Sequence, residues 1–328
     1  MEIPKFWKNR GIVKAASLAM AIFAALNWFW RVHLIPSSSI PRVNSALPYS
    51  GQRHGQRRFD IVLAHYQETP WKVKSAVTLL KAVPSITELN PRVIVYSKGM
   101  EAASNATSSM ALKEQLGADI LYTLPNVGRE SDTYLAHIVE HYDELADHTM
   151  FLQAQIENLE GIQGLVHTHF RPSLGVMSFG YYSECSCDAC VSPLNGNPDP
   201  TYGFKRIPQL YALFNEDFCP PTGLLLSFRG QFMASRGRIT RNSKKKWELL
   251  RGALTNMSHF IHDDPTPDQG LAFRNDKDPT NPIFGHTLER AWMVIFGCND
   301  LRIRHNCNDR DINAICGCYD VEKEIPSG

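Results

Sequence analysis

The chain has 328 residues, of which 43% are hydrophobic and 20% charged, the balance of an ordered globular protein rather than an intrinsically disordered one. Its 34 Lys and Arg residues nearly cancel its 33 Asp and Glu residues, which leaves a formal net charge of +1. This balance gives no electrostatic reason to expect a nucleic acid as the partner.

The N-terminal part of the chain contains an apolar segment, residues 12–35, whose only Lys, Arg, Asp or Glu residues are Lys14 and Arg31. Its length crosses a thin bilayer when these two side chains reach the membrane interfaces. The cluster Trp28-Phe29-Trp30 is typical of an aromatic belt at one membrane face. We therefore predict an uncleaved signal anchor over residues 12–35 that follows a cytoplasmic tail over residues 1–11.

Basic residues before the apolar segment set its expected orientation. Lys5, Lys8 and Arg10 precede it, which the positive-inside rule associates with a cytoplasmic N-terminus and a lumenal C-terminal part. A cleaved signal peptide is one alternative, although cleavage sites carry small residues rather than Trp and Phe. A buried soluble helix is the other, although this segment is apolar on all sides.

Residues 36–58 are rich in Pro, Ser and Gly without periodicity. This composition predicts a stem between the anchor and one folded domain over residues 59–328. Glycosylation sequons at Asn105 and Asn256 are compatible with a glycoprotein whose domain faces the lumen of the endoplasmic reticulum or Golgi.

Short apolar runs alternate with helical periodicities between residues 59 and 153. The predicted elements are strand 59–65, a helix from residue 70, strand 92–96, helix 111–116, strand 119–123, helix 131–146 and strand 150–153. This alternation predicts an α/β fold with a mostly parallel sheet and helices on both faces. Because ligands bind beyond the carboxyl ends of parallel strands, we expect a site formed by residues 65–68, 96–99, 126–130 and 153–158.

The helix predicted over residues 131–146 has an amphipathic pattern. The face expected to pack on the core holds Tyr134, Leu135, Ile138, Val139, Tyr142 and Leu145. The residues expected to point away from it are His137, Glu140, His141 and Glu144.

Beyond residue 160 the pattern is less regular. Residues 164–203 are rich in Gly, Pro, Cys and Asn and predict a long loop region. Strands are predicted over residues 224–228 and 231–234, and helices over residues 243–259 and 286–296.

All eight cysteines lie in the C-terminal half, at positions 185, 187, 190, 219, 298, 307, 316 and 318. An even number, in a chain with a hydrophobic N-terminus, favours disulfides in an oxidising compartment and a Cys-rich C-terminal elaboration of the domain. Zinc coordination is an alternative for Cys185, Cys187 and Cys190, because thiolates at this spacing converge on a tetrahedral ion. Unpaired thiols are the third possibility.

The segment Asn126-Val-Gly-Arg-Glu130 carries residues suited to ligand binding. Gly128 lets the backbone approach a ligand, and Arg129 binds a phosphate or carboxylate bidentately. The helix that follows directs a positive dipole end toward a diphosphate, and Asn126 and Glu130 are expected to bind ribose or sugar hydroxyls. The alternative is structural: a turn at Asn126 and Gly128, with Arg129 and Glu130 capping the helix.

Several motifs in the chain form a specific pattern. The central block is Leu124-Pro-Asn-Val-Gly-Arg-Glu130, His141-Tyr-Asp-Glu-Leu-Ala146 and Phe151-Leu-Gln153, and the flanking motifs are Val62–Glu68, Val95–Gly99 and Phe284–Trp292. Together they resemble a fungal family known only as a domain of unknown function, over residues 59–297. That family is in turn similar to the nucleotide-sugar-binding half of GT-A-type glycosyltransferases.

The resemblance implies a GT-A-like, membrane-anchored transferase that moves a sugar from a nucleotide-sugar donor to an unassigned acceptor. It implies donor contacts from Asn126, Gly128, Arg129, Glu130, Gln153 and Gln155, and catalytic roles for Glu289 and Glu157. Glu289 is the expected general base for an acceptor hydroxyl. The alternative is that Glu289 and its neighbour Arg290 are ordinary charges on a helix.

The resemblance also raises a question about metal ions. A metal-dependent GT-A enzyme needs an Asp-x-Asp-like motif where this chain has Gln153-Ala-Gln155. Amides bind Mn²⁺ or Mg²⁺ poorly compared with carboxylates, so Glu157 is the charged oxygen ligand nearby. The cofactor therefore stays unassigned: either catalysis proceeds without a metal, through Arg129 and helix dipoles, or the domain is impaired.

Two other functions stay open at this point. One is a catalytically impaired scaffold that organises a lumenal pathway, and the other is a tailoring enzyme of fungal secondary metabolism.

The pair His167-Thr-His169 is interpreted as incidental, on alternate strand positions, rather than as a metal site. For His262-Asp-Asp264 we expect a capping role.

Overall fold

We describe the protein from a computed structural model that defines residues 58–99, 106–188, 190, 204–263 and 277–320. These residues belong to one structural unit. The predicted tail, the predicted anchor and all of the predicted stem but its last residue, residues 1–57, lie outside the described residues. Within the described ranges, no helix combines the length and apolarity needed to cross a bilayer.

The described residues contain one large sheet and one small one. The strands are β1 Phe59–His65, β2 Arg92–Ser97, β3 Ile120–Thr123, β4 His148–Gln153, β5 Leu174–Ser178, β6 Tyr182–Cys185, β7 Leu224–Ser227, β8 Phe232–Ser235 and β9 Gly317–Tyr319. The large sheet has the order β3-β2-β1-β4-β8-β5-β9, and β6 pairs with β7. Strands β1 to β5 share one direction, and β8 and β9 oppose them. The mostly parallel sheet is confirmed.

Helices connect these strands. They are α1 Pro70–Lys81, α2 Pro84–Thr87, α3 Ala106–Leu116, α4 Arg129–Glu140, α5 Leu159–His169, α6 Ile207–Asn215, α7 Arg236–Thr240, α8 Lys244–Thr255, α9 Ile283–Ile295 and α10 Arg302–Asn306. Short 3₁₀ helices cover Tyr142–Glu144 and Phe260–His262. Helix α1 begins at Pro70, as predicted, because proline fits the first helical turn, where its missing N–H has no partner to lose.

Both faces of the large sheet are covered by helices, as predicted. On one face, Val62 and Phe151 pack in an apolar cluster with side chains of α4, α6, α8 and α9. On the other face, Leu63 and Leu152 pack with side chains of α1, α2, α3 and α5. Burial from both sides explains why all seven residues of β1 are buried.

Helix α4 differs from the prediction in length and in environment. It ends at Glu140, where the chain turns into the 3₁₀ helix Tyr142–Glu144. The expectation that His137 points away from the core is wrong: it is fully buried, and its Nδ1 lies 3.1 Å from the Tyr96 hydroxyl. Helices α8 and α9 pack over α4, so a second helical layer covers its polar face. Burial, with the nearby charges of His141 and Arg92, holds the pKa of His137 well below its ordinary value.

The long loop expected over residues 164–203 is wrong in its first part. Helix α5 extends to His169, and strands β5 and β6 follow within this stretch. His167 and His169 therefore lie on a helix and not on alternate strand positions. Gly175, in β5, has no room for a side chain, because an added Cβ would lie 2.6 Å from the Arg238 side chain.

All eight cysteines form disulfides. The pairs are Cys185–Cys190, Cys187–Cys219, Cys298–Cys318 and Cys307–Cys316. The disulfide prediction is confirmed, and the zinc alternative is wrong because paired sulfurs offer no thiolate to a metal ion. The Cys298–Cys318 bond joins the segment after α9 to β9, so the C-terminal elaboration is fastened to the sheet edge.

Candidate functional site

One cavity of about 460 Å³ lies at the carboxyl ends of β1 and β4, beside the start of α4; we call it the strand-end cavity. Its wall is formed by Ala64, His65, Tyr66, Glu68, Lys98, Asn126, Arg129, Glu130, Gln153, Gln155, Glu157 and Thr280. All four strand-end segments named from the sequence contribute to it. Six of the eight candidate site residues line it: Asn126, Arg129, Glu130, Gln153, Gln155 and Glu157. The other two, Gly128 and Glu289, lie outside this wall.

Gly128 lies outside the cavity wall, where the loop packs against α4 and α8. Its φ is +64°, and its N–H donates to the carbonyl of Pro279 at 2.7 Å. An added Cβ would lie 2.9 Å from the Cβ of Asp132 and 3.0 Å from the side chain of Leu254. The glycine predicted to approach a ligand therefore serves the close packing of the loop on α4 and α8.

A buried ionic network fixes the loop before α4. Lys98 Nζ donates to the carbonyls of Val127 at 2.5 Å and Arg129 at 2.6 Å, and lies 3.1 Å from Asp132 Oδ2. Arg251 Nε contacts the other carboxylate oxygen of Asp132 at 2.8 Å. Burial lowers the pKa of Lys98, and the charge of Asp132 opposes this effect. The sequence singled out Lys98 only as part of a strand-end motif, and Asp132 and Arg251 were missed.

The Arg129 guanidinium is oriented by helix α9 and the segment before it. Its Nη1 lies 3.0 Å from Nε2 and 3.1 Å from Nδ1 of His286, and 3.3 Å from Asn281 Oδ1. Its Nε lies 3.4 Å from Glu130 Oε2. The side chain is about a third exposed at the cavity. Since Arg129 also has a φ of +53°, the backbone is strained where the guanidinium is presented.

Glu289 lies on α9 and anchors a neighbouring turn. Its Oε1 accepts a hydrogen bond from the backbone N–H of Arg229 at 3.0 Å, and its Oε2 lies 3.3 Å from Arg290 Nη1. Burial alone would raise its pKa, but the hydrogen bond with His286, the charges of Arg290 and Arg129 and the Arg229 N–H together lower it to about 2. This geometry favours an anchoring role over the general-base role expected from the sequence.

Glu157 lies on the cavity wall and pairs with a cation that the sequence did not indicate. Its Oε2 is 3.0 Å from Arg229 Nε. Arg229 belongs to the turn between β7 and β8, and its φ of +73° is unusual for a residue with a side chain. Gln231 Nε2, on the same turn, donates to the Glu157 carbonyl at 3.4 Å.

A second cavity of about 470 Å³ shares Tyr66, Glu68 and Gln155 with the strand-end cavity. Thr69 and Lys72, at the start of α1, complete part of its wall. The two cavities are therefore neighbours at the same edge of the sheet.

The donor atoms at the strand-end cavity do not fit a divalent cation. Gln153 and Gln155 offer amides. Each of the three carboxylates on the wall is already engaged: Glu157 by Arg229, Glu130 by Arg129 and Glu68 by the backbone N–H of Tyr66. In the described part of the chain, no group of three or more His, Cys, Asp or Glu side chains has an arrangement that could hold a metal ion.

Of the predicted capping motif 262–264, His262 is buried with Nε2 2.9 Å from the Ala253 carbonyl.

Residues 101–316 match a family described as proteins of unknown function, DUF3431. The chain belongs to this family. The motif resemblance to a domain of unknown function is thereby confirmed. No curated protein sequence matches the DUF3431 chain.

The DUF3431 chain is also similar to solved structures. A galactosyltransferase, LgtC, in complex with donor and acceptor sugar analogues matches at 13% identity and a TM-score of 0.29, over 60% of this chain and 66% of its own. An active-site mutant of LgtC matches at 14% identity and a TM-score of 0.28, over 60% and 65%. The chain thus spans slightly less than two thirds of either structure.

Proposed function

We propose that the strand-end cavity binds a nucleotide-sugar donor and that the protein transfers the sugar to an acceptor hydroxyl. The observation that carries this proposal is the meeting of Arg129, Asn126, Glu130 and two glutamine amides on one cavity at the carboxyl edge of a parallel sheet. A cation beside amides and carboxylates suits a ligand that joins a diphosphate to hydroxyl-rich rings. The motif resemblance to GT-A transferases supports the same ligand class.

Each wall residue has a role in this proposal. Arg129, oriented by His286, binds the diphosphate. Asn126 and Glu130 bind hydroxyls of the ribose or the sugar, and the amides at 153 and 155 supply further donors and acceptors.

The transfer reaction requires a proton acceptor. The bond between the anomeric carbon and the donor phosphate oxygen breaks, and its electron pair leaves with the diphosphate. The acceptor oxygen forms the new bond and releases its proton to a base. Glu157 lies on the cavity wall and is half-exposed, whereas Glu289 lies outside the wall and is engaged by the Arg229 N–H and by Arg290, so Glu157 is the better candidate.

We further propose that residues 12–35 anchor the protein in the membrane and that its α/β domain, residues 59–328, lies on the lumenal side. The apolar segment and the basic residues before it support this arrangement. The four disulfides support an oxidising compartment such as the endoplasmic reticulum or Golgi.

The test is a thermal-shift screen of the full chain against nucleotide sugars, with and without Mn²⁺. A bound donor at about one hundred times its Kd adds about 2.7 kcal/mol of stability, which raises Tm by roughly 5 °C. We expect Arg129→Ala to abolish the shift while leaving the unliganded Tm within about 2 °C. The matched control is Arg310→Ala, because Arg310 is exposed on the surface and pairs only loosely with Glu160. An unchanged shift in the Arg129 variant would refute the assignment.

A catalytically impaired scaffold is the second candidate. The observation that favours it is the pair of amides at Gln153 and Gln155, together with the ion-paired state of Glu157. A scaffold would bind the nucleotide sugar without turnover. Release of nucleoside diphosphate that depends on added acceptor and disappears in Arg129→Ala would exclude it.

A further inference from the structure

The guanidinium of Arg229 contacts the Glu157 carboxylate on the cavity wall. Arg229 Nε lies 3.0 Å from Glu157 Oε2, and both side chains are partly exposed, 34% for Arg229 and 51% for Glu157. The Arg229 guanidinium also lies over the ring of Tyr181, 5.9 Å from its centroid. Two sides of the guanidinium are thus fixed, and a single Nε contact leaves several of its five N–H donors for other acceptors.

The turn that carries Arg229 is strained. Arg229 has a φ of +73° and Gly230 a φ of +58°, and this region of backbone conformation is unfavourable for a non-glycine residue. The ion pair with Glu157 is partly exposed, and pairs of this kind stabilise a fold too weakly to offset the strain of the turn. Glycine or asparagine would adopt the same turn more readily, so the turn geometry alone does not explain an arginine here.

The turn is held against the cavity wall. The Arg229 N–H donates to Glu289 Oε1 at 3.0 Å, which anchors the turn to α9. A Cβ added at Gly230 would lie 3.3 Å from Glu130 Oε1, a carboxylate of the strand-end cavity. Helix α9 therefore fixes two arginines beside the cavity, Arg229 through Glu289 and Arg129 through His286.

We propose that Arg229 supplies the positive charge for an anionic diphosphate group, together with Arg129, in place of a divalent metal ion. The inference rests on the proposed function of the same cavity. Guanidinium groups bind phosphate oxygens bidentately and keep their charge at every physiological pH. The charge that the leaving diphosphate gains is then neutralised by two fixed side chains, and its binding is independent of Mn²⁺ and Mg²⁺.

The test measures binding of uridine, guanosine and adenosine diphosphates and of the parent nucleosides to the full chain by calorimetry. Each titration is made in EDTA and in Mn²⁺. For the diphosphate that binds most tightly, we expect the two Kd values to agree within about twofold. Arg229→Gln weakens this diphosphate about tenfold or more and leaves its nucleoside unchanged, and Arg229→Lys restores part of the loss. The matched control is Arg302→Gln, a surface arginine paired with Asp300.

The Glu157→Gln variant gives a second, independent test of the role of Arg229. Loss of a carboxylate beside Arg229 removes repulsion of the phosphate, so diphosphate binding becomes tighter by about threefold. A Glu157 that bound a metal ion would give the opposite result, weaker binding in Mn²⁺.

The outcomes separate the two proposals. Diphosphate binding that requires Mn²⁺ and survives Arg229→Gln overturns this inference and leaves the proposed function intact. Equal weakening of nucleoside and diphosphate in Arg229→Gln also overturns it, because the residue then supports only the turn. A folded wild-type chain that binds neither diphosphates nor nucleotide sugars overturns the proposed function and, with it, this inference.

Discussion

The imidazole of His286 contacts the guanidinium of Arg129, with Arg129 Nη1 3.0 Å from Nε2 and 3.1 Å from Nδ1. The two residues come from distant parts of the chain, the start of α4 and the first turns of α9. Helix α9 thus takes part in orienting the residue that the sequence analysis and the cavity geometry both assign to ligand binding.

Replacing His286 tests this orienting role. In His286→Ala, Arg129 keeps its charge but loses a fixed partner, so donor affinity falls about tenfold while the fold is retained. Calorimetric titration of the nucleotide sugar that shifts the wild-type Tm measures the change. His305→Ala, at an exposed position on α10, is the control and leaves the affinity unchanged. Equal affinities in the His286 variant and the wild type would contradict the role.

The Lys98–Asp132–Arg251 network should contribute strongly to stability. Asp132→Asn leaves the buried Lys98 without its carboxylate partner and the mostly buried Arg251 with only the more distant Glu140, which costs about 3 kcal/mol of unfolding free energy. Urea denaturation should show a lower midpoint with an unchanged slope. Asp143→Asn, at an exposed position of the 3₁₀ helix, should change stability by less than about 0.5 kcal/mol. A stable Asp132 variant would show that the network is not needed.

Glu289 should make stability depend on acidic pH. Its folded-state pKa of about 2 lies below the ordinary value of 4.5, so the carboxylate stabilises the fold fully above pH 4.5. This stabilisation is lost as the pH falls from 4.5 toward 2. Wild type should exceed Glu289→Gln by about 3 kcal/mol at pH 7, and the gap should close through that window. Denaturant titrations at pH 7, 5, 4 and 3 measure it; a constant gap would contradict the assignment.

The disulfides should stabilise the protein more when they close a longer loop, although the gain grows only with the logarithm of loop length. Cys298 and Cys318 are 20 residues apart, whereas Cys185 and Cys190 are 5 apart. Paired alanine replacements should cost about 3 kcal/mol for the longer loop and about 2 kcal/mol for the shorter one, by the loop-entropy estimate. Calorimetric melting of the two double variants under non-reducing conditions compares them. The reverse ranking would point to strain or packing as the dominant effect.

Glycosylation tests the proposed lumenal orientation. Asn256 follows α8, and its Oδ1 accepts a hydrogen bond from the backbone N–H of Ser258 at 3.0 Å. In cells that glycosylate secretory proteins, the full chain should lose mass on removal of N-linked glycans, and Asn256→Gln should reduce that loss. A double variant that also carries Asn105→Gln should show none. An untreated wild-type chain without glycans would argue against the orientation.

Residues 59–153 could be predicted closely because each element carries a local signal. β1 and β2 are apolar runs buried from both sides, and α1 begins at a proline. Strand ends of a parallel sheet share one edge, so the order of elements already placed the loop 126–130 beside Gln153 and Glu157.

The partners of these residues could not be predicted because they depend on tertiary contacts. Asp132 contacts Arg251 across 119 positions, and Glu157 contacts Arg229, which lies on the distant turn between β7 and β8. His137 is buried because its ring packs against Tyr96 of β2 and Phe151 of β4, although the polar residue type indicates a solvent-facing position. Strands β5 and β6 were hidden by glycine and cysteine residues that pack closely or form disulfides.

The disulfides and most of the cavity wall come from separate stretches of the chain. Every disulfide joins positions between 185 and 318, whereas the wall of the strand-end cavity comes from residues 64–157 and Thr280. Replacements in the strand-end loops therefore leave the cross-links untouched. A new substrate preference can therefore arise from a few loop substitutions without the loss of a disulfide.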